Sequence, residues 1–355
     1  MLKKFLSVIS LSSLLVLTSI VGSNSHAVAA QDNKIVFESI DVEDLDKHPD
    51  VEQFIIENGF EEYVEEGKKS YDELAELYDL EGLYEPQSVE GMDPETEERI
   101  RKKYNIPRPD PVVKEYDQQI IVQRNVSTNS IDGAIMFNLI VGNSGANLYL
   151  IHLHAGIDPI DNITGTITKY NASGTRWRED DSKSFSKSNV RSGLLQSWSE
   201  GKNAVSDYFE FEVTITDAGV TYYKDGGGKD QEYQRYNFQT GRYKDISALG
   251  GQRHHFISAT PLRNAGFNPD YAPSIRMLTE DHYETPSYGR PGDSHRKKEE
   301  ELLKQQRYQA LIDFNVEALR DAEDSEGYYD NLLEKYDTYV IEAAWLSEAY
   351  LGMDN

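Results

Sequence analysis

The chain has 355 residues, with 62 acidic against 36 basic, a formal charge of −26 at pH 7 and no cysteine. That length accommodates two or three domains with cores of their own. The absence of thiols excludes disulfides, cysteine-ligated zinc and thiol catalysis, and the net charge taken alone argues against a nucleic-acid partner.

Lys3 and Lys4 precede a mostly apolar run over residues 5–21, and Ala27-Val28-Ala29 supplies a small-residue cleavage site. Residues 1–30 therefore read as a secretory signal, removed on export to a secreted, extracellular protein. Ser and Thr interrupt the run and no basic stop follows, which argues against a membrane anchor. No other stretch approaches the ~20 apolar residues a spanning helix needs, so no stable membrane insertion is expected after signal removal.

Residues 31–111 form an acidic helical region with a proline linker. Between residues 31 and 110 there are 25 acidic and 9 basic residues, whereas 253–307 holds 8 acidic and 9 basic. Apolar spacings of three and four predict short helices over 51–60 and 71–83, with Ser70 and Asp72 placed to cap the second. Pro107, Pro109 and Pro111 predict a stiff extended linker. The plain expectation is a solvated spacer. A sharper one is a segment that competes with nucleic acid for a neighbouring basic cleft, in which case deleting 31–110 raises activity.

Over 112–240 the pattern becomes one of strands. They are predicted over 119–126, 134–141, 147–157, 165–170 and 208–215, with turns at Asp132-Gly133, Gly142-Asn143 and Asp225-Gly226. Phe209, Phe211, Val213 and Ile215 alternate with Glu210, Glu212 and Thr214, which puts one face in and one face out. Such strands at short spacing predict an antiparallel β-sandwich. His152 and His154 share a strand face with Leu148 and Leu150 and are expected as packing, not as ligands. Gly226-Gly227-Gly228 lacks the strand–helix context of a nucleotide loop and reads as a turn. The stretches 147–157 and 165–170 resemble β-sandwich modules of exported Gram-positive proteins.

Residues 241–355 hold three of the chain's eight histidines in one stretch, His254, His255 and His282, with His295 close by. The predicted order is strand, loop, strand, helix: a strand through His254, His255, Phe256 and Ile257, a turn-rich loop over 262–272, a strand over 275–278 and a helix capped by Thr279. A long helix over 294–322, capped by Asp293, and a second over 328–351 are expected to pack over the hairpin as scaffold. Neutral imidazole takes a proton from water near physiological pH, and a divalent cation stabilises charge on a phosphate, so this set of residues points to phosphodiester cleavage. Adjacent strand residues face opposite ways, so His254 and His255 serve one site only if the strand bends or the metal sits at its end; Gly250-Gly251 is placed to allow a bend. Arg253, Arg276 and Arg290 are candidates to hold phosphates bidentately.

Arg253-His254-His255, Pro273-Ser-Ile275-Arg-Met277 and Asp281-His282-Tyr-Glu-Thr285-Pro-Ser287-Tyr288-Gly289 resemble the nuclease domain of bacterial polymorphic toxins, in the HNH/endonuclease VII superfamily. The resemblance spans about residues 246–345. It implies a ββα-metal hairpin in which His254 and His282 hold one divalent metal (Mg, Mn or Zn) and His255 is the general base. It also implies a DNA or RNA substrate and a possible cognate immunity protein. The resembling domains carry a different residue in place of His295, which is expected as a surface residue at a helix start.

The expected fold class is thus α+β and multidomain: an acidic helical N-terminal segment, an antiparallel β-sandwich over 112–240 and a ββα-metal nuclease-like domain over 241–355. There is no Walker-type phosphate loop, no Gly-x-Ser-x-Gly elbow and no His-Glu-x-x-His helix. The alternative function is a non-catalytic exported surface protein whose β-sandwich binds a partner or ligand.

Overall fold

A computed structural model of the chain describes residues 35–61, 92–108, 117–141, 147–154, 159–199, 203–228, 234–290 and 292–353. The signal segment 1–30, the expected helix 71–83, the turn at Gly142-Asn143 and most of the proline linker lie outside the described residues. The architecture is α+β, with eight α-helices and three antiparallel sheets among the described residues. None of these helices is long and apolar enough to cross a membrane.

The first sheet runs in spatial order β1 (Ile35–Asp41), β2 (Asp117–Asn125), β3 (Ser130–Val141), β4 (Asn147–His154) and β7 (Ser192–Ser199). The second joins β10 (Gln234–Tyr236), β8 (Ser206–Asp217), β5 (Ile160–Ser173) and β6 (Arg176–Val190), with β9 (Val220–Gly228) also on β8. One apolar cluster draws Phe37, Ile121, Ile135 and Phe137 from the first sheet and Ile163, Ile167, Phe209, Phe211 and Val213 from the second, so the sheets face each other. Phe137 meets Phe211 across the gap with ring centroids 5.6 Å apart. The alternation on β8 places Phe209, Phe211, Val213 and Ile215 in this core, each worth ~1.5–3 kcal/mol of burial.

Several expectations are corrected here. The acidic N-terminal region is not only helical, since β1 pairs along β2 from Ile35↔Asn125 to Asp41↔Gln119. Asp132 and Gly133 lie inside β3, and the β2–β3 turn falls at residues 126–129, where Asn129 has φ 54° and the Asn125 side chain accepts from Ser127 N. The triple glycine is strand, not turn: Gly226 pairs with Phe211, whose ring would lie 2.6 Å from a Cβ at that position. Strands β6 and β7 were not anticipated. Phe185 is the one buried residue on β6, because that strand forms an edge of its sheet and shows a polar surface to solvent.

The third sheet has the order β11 (Gln239–Arg242), β13 (Pro273–Met277), β12 (Gln252–His255), with the fully buried β13 in the middle. Around it pack α3 (Ala259–Asn264), α4 (Thr279–Glu284), α5 (Asp293–Lys304), α6 (Tyr308–Arg320), α7 (Leu332–Lys335) and α8 (Asp337–Tyr350). The helix expected over 294–322 is two: the chain turns back at Gln306, where φ is 54°, and Arg307 N donates to Leu302 O. The helix expected over 328–351 is likewise α7 and α8, with Tyr336 between them. Asp293 and Thr279 occupy first helical positions and make no cap; Thr279 Oγ1 instead lies 3.5 Å from Gly250 O.

The N-terminal region contributes two helices of its own, α1 (Pro49–Asn58), which overlaps the predicted span 51–60 and starts and ends two residues earlier, and α2 (Pro94–Lys103). Helix α2 belongs to the C-terminal core, for Ile100, Tyr104 and Ile106 are buried in it. Arg101 donates to Asp337 at 2.8 Å, and Glu348 accepts from Arg99, Lys103 and Tyr104 Oη.

The two cores meet at Gly250-Gly251. Gly174 N, in the β5–β6 turn, donates to Gly250 O at 2.6 Å, while Gly250 has φ +86° and a Cβ there would lie 2.3 Å from Ala172 O. A Cβ on Gly251 would lie 2.3 Å from Met277 O. These glycines serve close backbone approach, which is a different use from the bend expected of them.

Candidate active site

Strand β12 presents its residues alternately. His254 turns to one face, and Arg253 and His255 turn to the other. Helix α4 follows β13 after one residue and brings His282 against His254, with ring centroids 5.4 Å apart and planes at 69°. His254 is 5 % exposed. Burial, and then His282, His255 and His295, hold its imidazole well below the ordinary histidine value. Burial, with His255, pushes His282 down to about 4. Both rings are therefore neutral at pH 7, and His282 Nδ1 is buried without a hydrogen-bond partner.

His255 occupies a different setting. Its ring stacks on Tyr243 at 4.0 Å, and its Nε2 lies 3.2 Å from Pro269 O. A carbonyl oxygen only accepts, so Nε2 carries the proton and Nδ1 keeps the lone pair. Burial lowers the His255 pKa, opposed by the bond to Pro269. The three imidazoles thus do not converge on one point: His254 and His282 form a pair, and His255 stands on the far side of the strand, close enough to act on both electrostatically.

The helix carrying His282 is pinned by its neighbour Asp281, which is fully buried. Asp281 accepts from Ser325 Oγ at 2.6 Å and from Tyr336 Oη at 2.6 Å, with Lys335 Nζ at 2.9 Å. Tyr336 Oη in turn accepts from Leu278 N at 3.0 Å, which fixes the residue joining β13 to α4. Burial alone lowers the Lys335 pKa, yet Asp281, Glu326 and Asp324 together carry it above the ordinary lysine value.

The expected phosphate-binding arginines part company. Arg276 is 5 % exposed and donates to Asn237 O, Ser247 O and Asn237 Oδ1, so it is committed to the fold and is unavailable to a phosphate. Arg253 lies 4.0 Å over the Tyr243 ring and donates to Tyr243 O and Oη. Arg290 is exposed, with no side-chain partner among the described residues.

His295 is a correction, being buried and not at the surface. Its Nε2 donates to Asn315 Oδ1 at 3.0 Å and lies 3.7 Å from Glu299 Oε1. Glu299 accepts from Ser258 N at 3.0 Å, which ties α5 to the chain just past β12. The other oxygen of Glu299 is buried without a partner. The signal for this face was present in the sequence: His295, Glu299, Leu302 and Leu303 recur at spacings of four, three and one on one helix side, and all four are buried. His152 and His154 lie on β4, opposite Phe137 and Ile135.

Among the described residues no three His, Asp or Glu groups are arranged to hold a metal ion by themselves. The His254–His282 pair fits a cation as a two-nitrogen donor set, with the partnerless His282 Nδ1 as the observation in favour. A cavity of about 240 Å³, lined by Arg176, Trp177, Leu278, Glu280, Glu326 and Tyr328, sits where the two cores meet and does not include the histidines. In comparisons with known proteins, the chain matches no protein-family model, no curated protein and no solved structure.

Proposed function

We propose that the chain is an exported, metal-dependent endonuclease that hydrolyses phosphodiester bonds of nucleic acid. In this reading His254 and His282 hold one divalent cation, and His255, which faces away from them, acts as general base across the end of β12, where the strand stops. The observation that carries it is His282 Nδ1, a buried nitrogen without a partner on a neutral ring packed against a second neutral ring. Two imidazole donors favour Zn²⁺ among Mg²⁺, Mn²⁺ and Zn²⁺. Such a cation supplies Lewis-acid polarisation of a phosphate oxygen and stabilisation of the leaving alkoxide.

The chain's own residues do the rest. His255 Nδ1 takes the proton of the attacking water, while Pro269 O holds the opposite nitrogen and the Tyr243 ring holds the plane. Burial keeps His255 deprotonated at neutral pH, as a base must be. Arg253, oriented by Tyr243, and the free Arg290 are the cations left to meet phosphate. Export and a cognate inhibitor protein are the protections this activity implies for the producing cell.

The test is cleavage of DNA and RNA by the full chain with Zn²⁺, Mn²⁺, Mg²⁺ or EDTA. Cleavage should require metal and fall by ~10²–10⁴ in His255→Ala with the melting temperature unchanged. Zinc affinity, measured separately by calorimetry, should drop in His254→Ala. Folded protein that cuts neither nucleic acid with any of these cations would sink the reading and favour the non-catalytic surface protein.

A further inference from the structure

Three of the eight exposed large hydrophobic side chains among the described residues stand near the histidines. Tyr271 and Tyr283 are each 44 % exposed and Tyr288 is 42 % exposed. On one side, Tyr288 packs 5.2 Å from the His282 ring, and Tyr283 packs 4.7 Å from Tyr288. On the other, His255 stacks on Tyr243, and the next residue reaches Tyr271: Lys244 N donates to Asp270 O at 3.0 Å, and Lys244 Nζ lies 3.8 Å over the Tyr271 ring. Lys244, Arg263 and Arg290 are exposed and enter no ion pair among the described residues. Solvent-facing rings therefore flank the imidazoles on both sides, with cations outside any ion pair on both sides as well.

Resting on the phosphodiesterase reading above, we infer that the substrate is single-stranded nucleic acid, its bases stacked on Tyr288 and Tyr283 on one side of the histidines and on Tyr271 on the other. Lys244, Arg263 and Arg290 meet its phosphates. In a duplex the base faces are covered by their neighbours, and an exposed tyrosine has nothing to stack on. In a single strand every base offers a face, so stacking rings interleaved with cations select the unpaired form whatever its sequence. The −26 net charge does not oppose this locally, because the acid concentrates in residues 31–110. Asp270 and Glu280 do lie close by, so binding should be modest and strongly salt-dependent.

The experiment is fluorescence anisotropy of the full chain in EDTA, where no cleavage occurs. The probes are a labelled oligothymidylate of about twelve nucleotides, its oligouridylate counterpart and a duplex of equal length. The expected result is at least roughly tenfold tighter binding of the single strands than of the duplex. Tyr288→Ala and Tyr271→Ala should each weaken single-strand binding by roughly tenfold, and the Phe variants should retain it, since the ring and not the hydroxyl stacks. Lys244→Ala should flatten the salt dependence by about one phosphate contact. The DNA and RNA probes separate the two sources of the same stacking chemistry. Duplex bound as tightly as single strand, no binding of any probe, or Ala variants matching the unaltered chain would each overturn the inference. Binding without cleavage on adding metal would defeat the endonuclease reading alone.

Discussion

His282 loses most of its water on folding and gains no acidic partner, and its imidazole drops to about 4 as a result. In the unfolded chain the same group titrates near 6.5. Between those values the unfolded state binds more protons, so stability rises with pH across that window. The metal-free protein should therefore lose stability as pH falls from about 6.5 to about 4, on the order of 3 kcal/mol from this residue, and lose no more to it below. Denaturant midpoints in EDTA check this; a His282→Asn variant with an equally steep slope would refute it. Lys335 differs in kind. Replacing it with Met leaves Asp281 and Asp324 buried without their cation, which should cost ~3–5 kcal/mol in thermal unfolding. Arg276→Ala, too, should lower stability while leaving the KM of the folded fraction unchanged, because its guanidinium is spent on Asn237 and Ser247.

At the scale of elements, the hairpin of β12 and β13 depends on backbone closeness more than on side-chain propensity. Gly250 accepts from the β5–β6 turn with a left-handed φ, so Gly250→Ala meets both a steric clash and an unfavourable conformation. A loss of about 2–3 kcal/mol is expected, read from the denaturation midpoint, against about 1 kcal/mol for Gly59→Ser at the C-cap of α1, where nothing lies within 4 Å of the added atom and only the left-handed φ of +71° is strained. Strand β8 could be read in advance from its alternation. Strand β6 could not, because an edge strand facing water carries no apolar period; nor could the break at Gln306, because the apolar stripe runs on through it into α6.

The whole molecule is knitted by segments distant in sequence. Helix α2 contributes Ile100 and Tyr104 to the C-terminal core, and β1 closes the edge of β2. A chain lacking residues 31–110 should consequently lose folding, seen as lost solubility and lost near-ultraviolet dichroism, instead of gaining activity. Competition by the acidic segment is better tested by deleting residues 62–91, which spares every described element. A rise in cleavage rate supports it, and an unchanged rate disposes of it.

Local chemistry in the sequence determined the strand period of β8, the helical run of α1, the β12–β13 order and the nomination of His254, His255 and His282. Each of those rests on neighbours within a few positions. The tertiary structure alone decided that His255 faces away from the other two, that Arg276 is structural, that His295 is buried and that Lys335 anchors the helix of His282. Which face of a short strand meets which helix, and which donors find the Asp281 carboxylate from 44 to 55 positions away, depends on chain segments that meet only after folding.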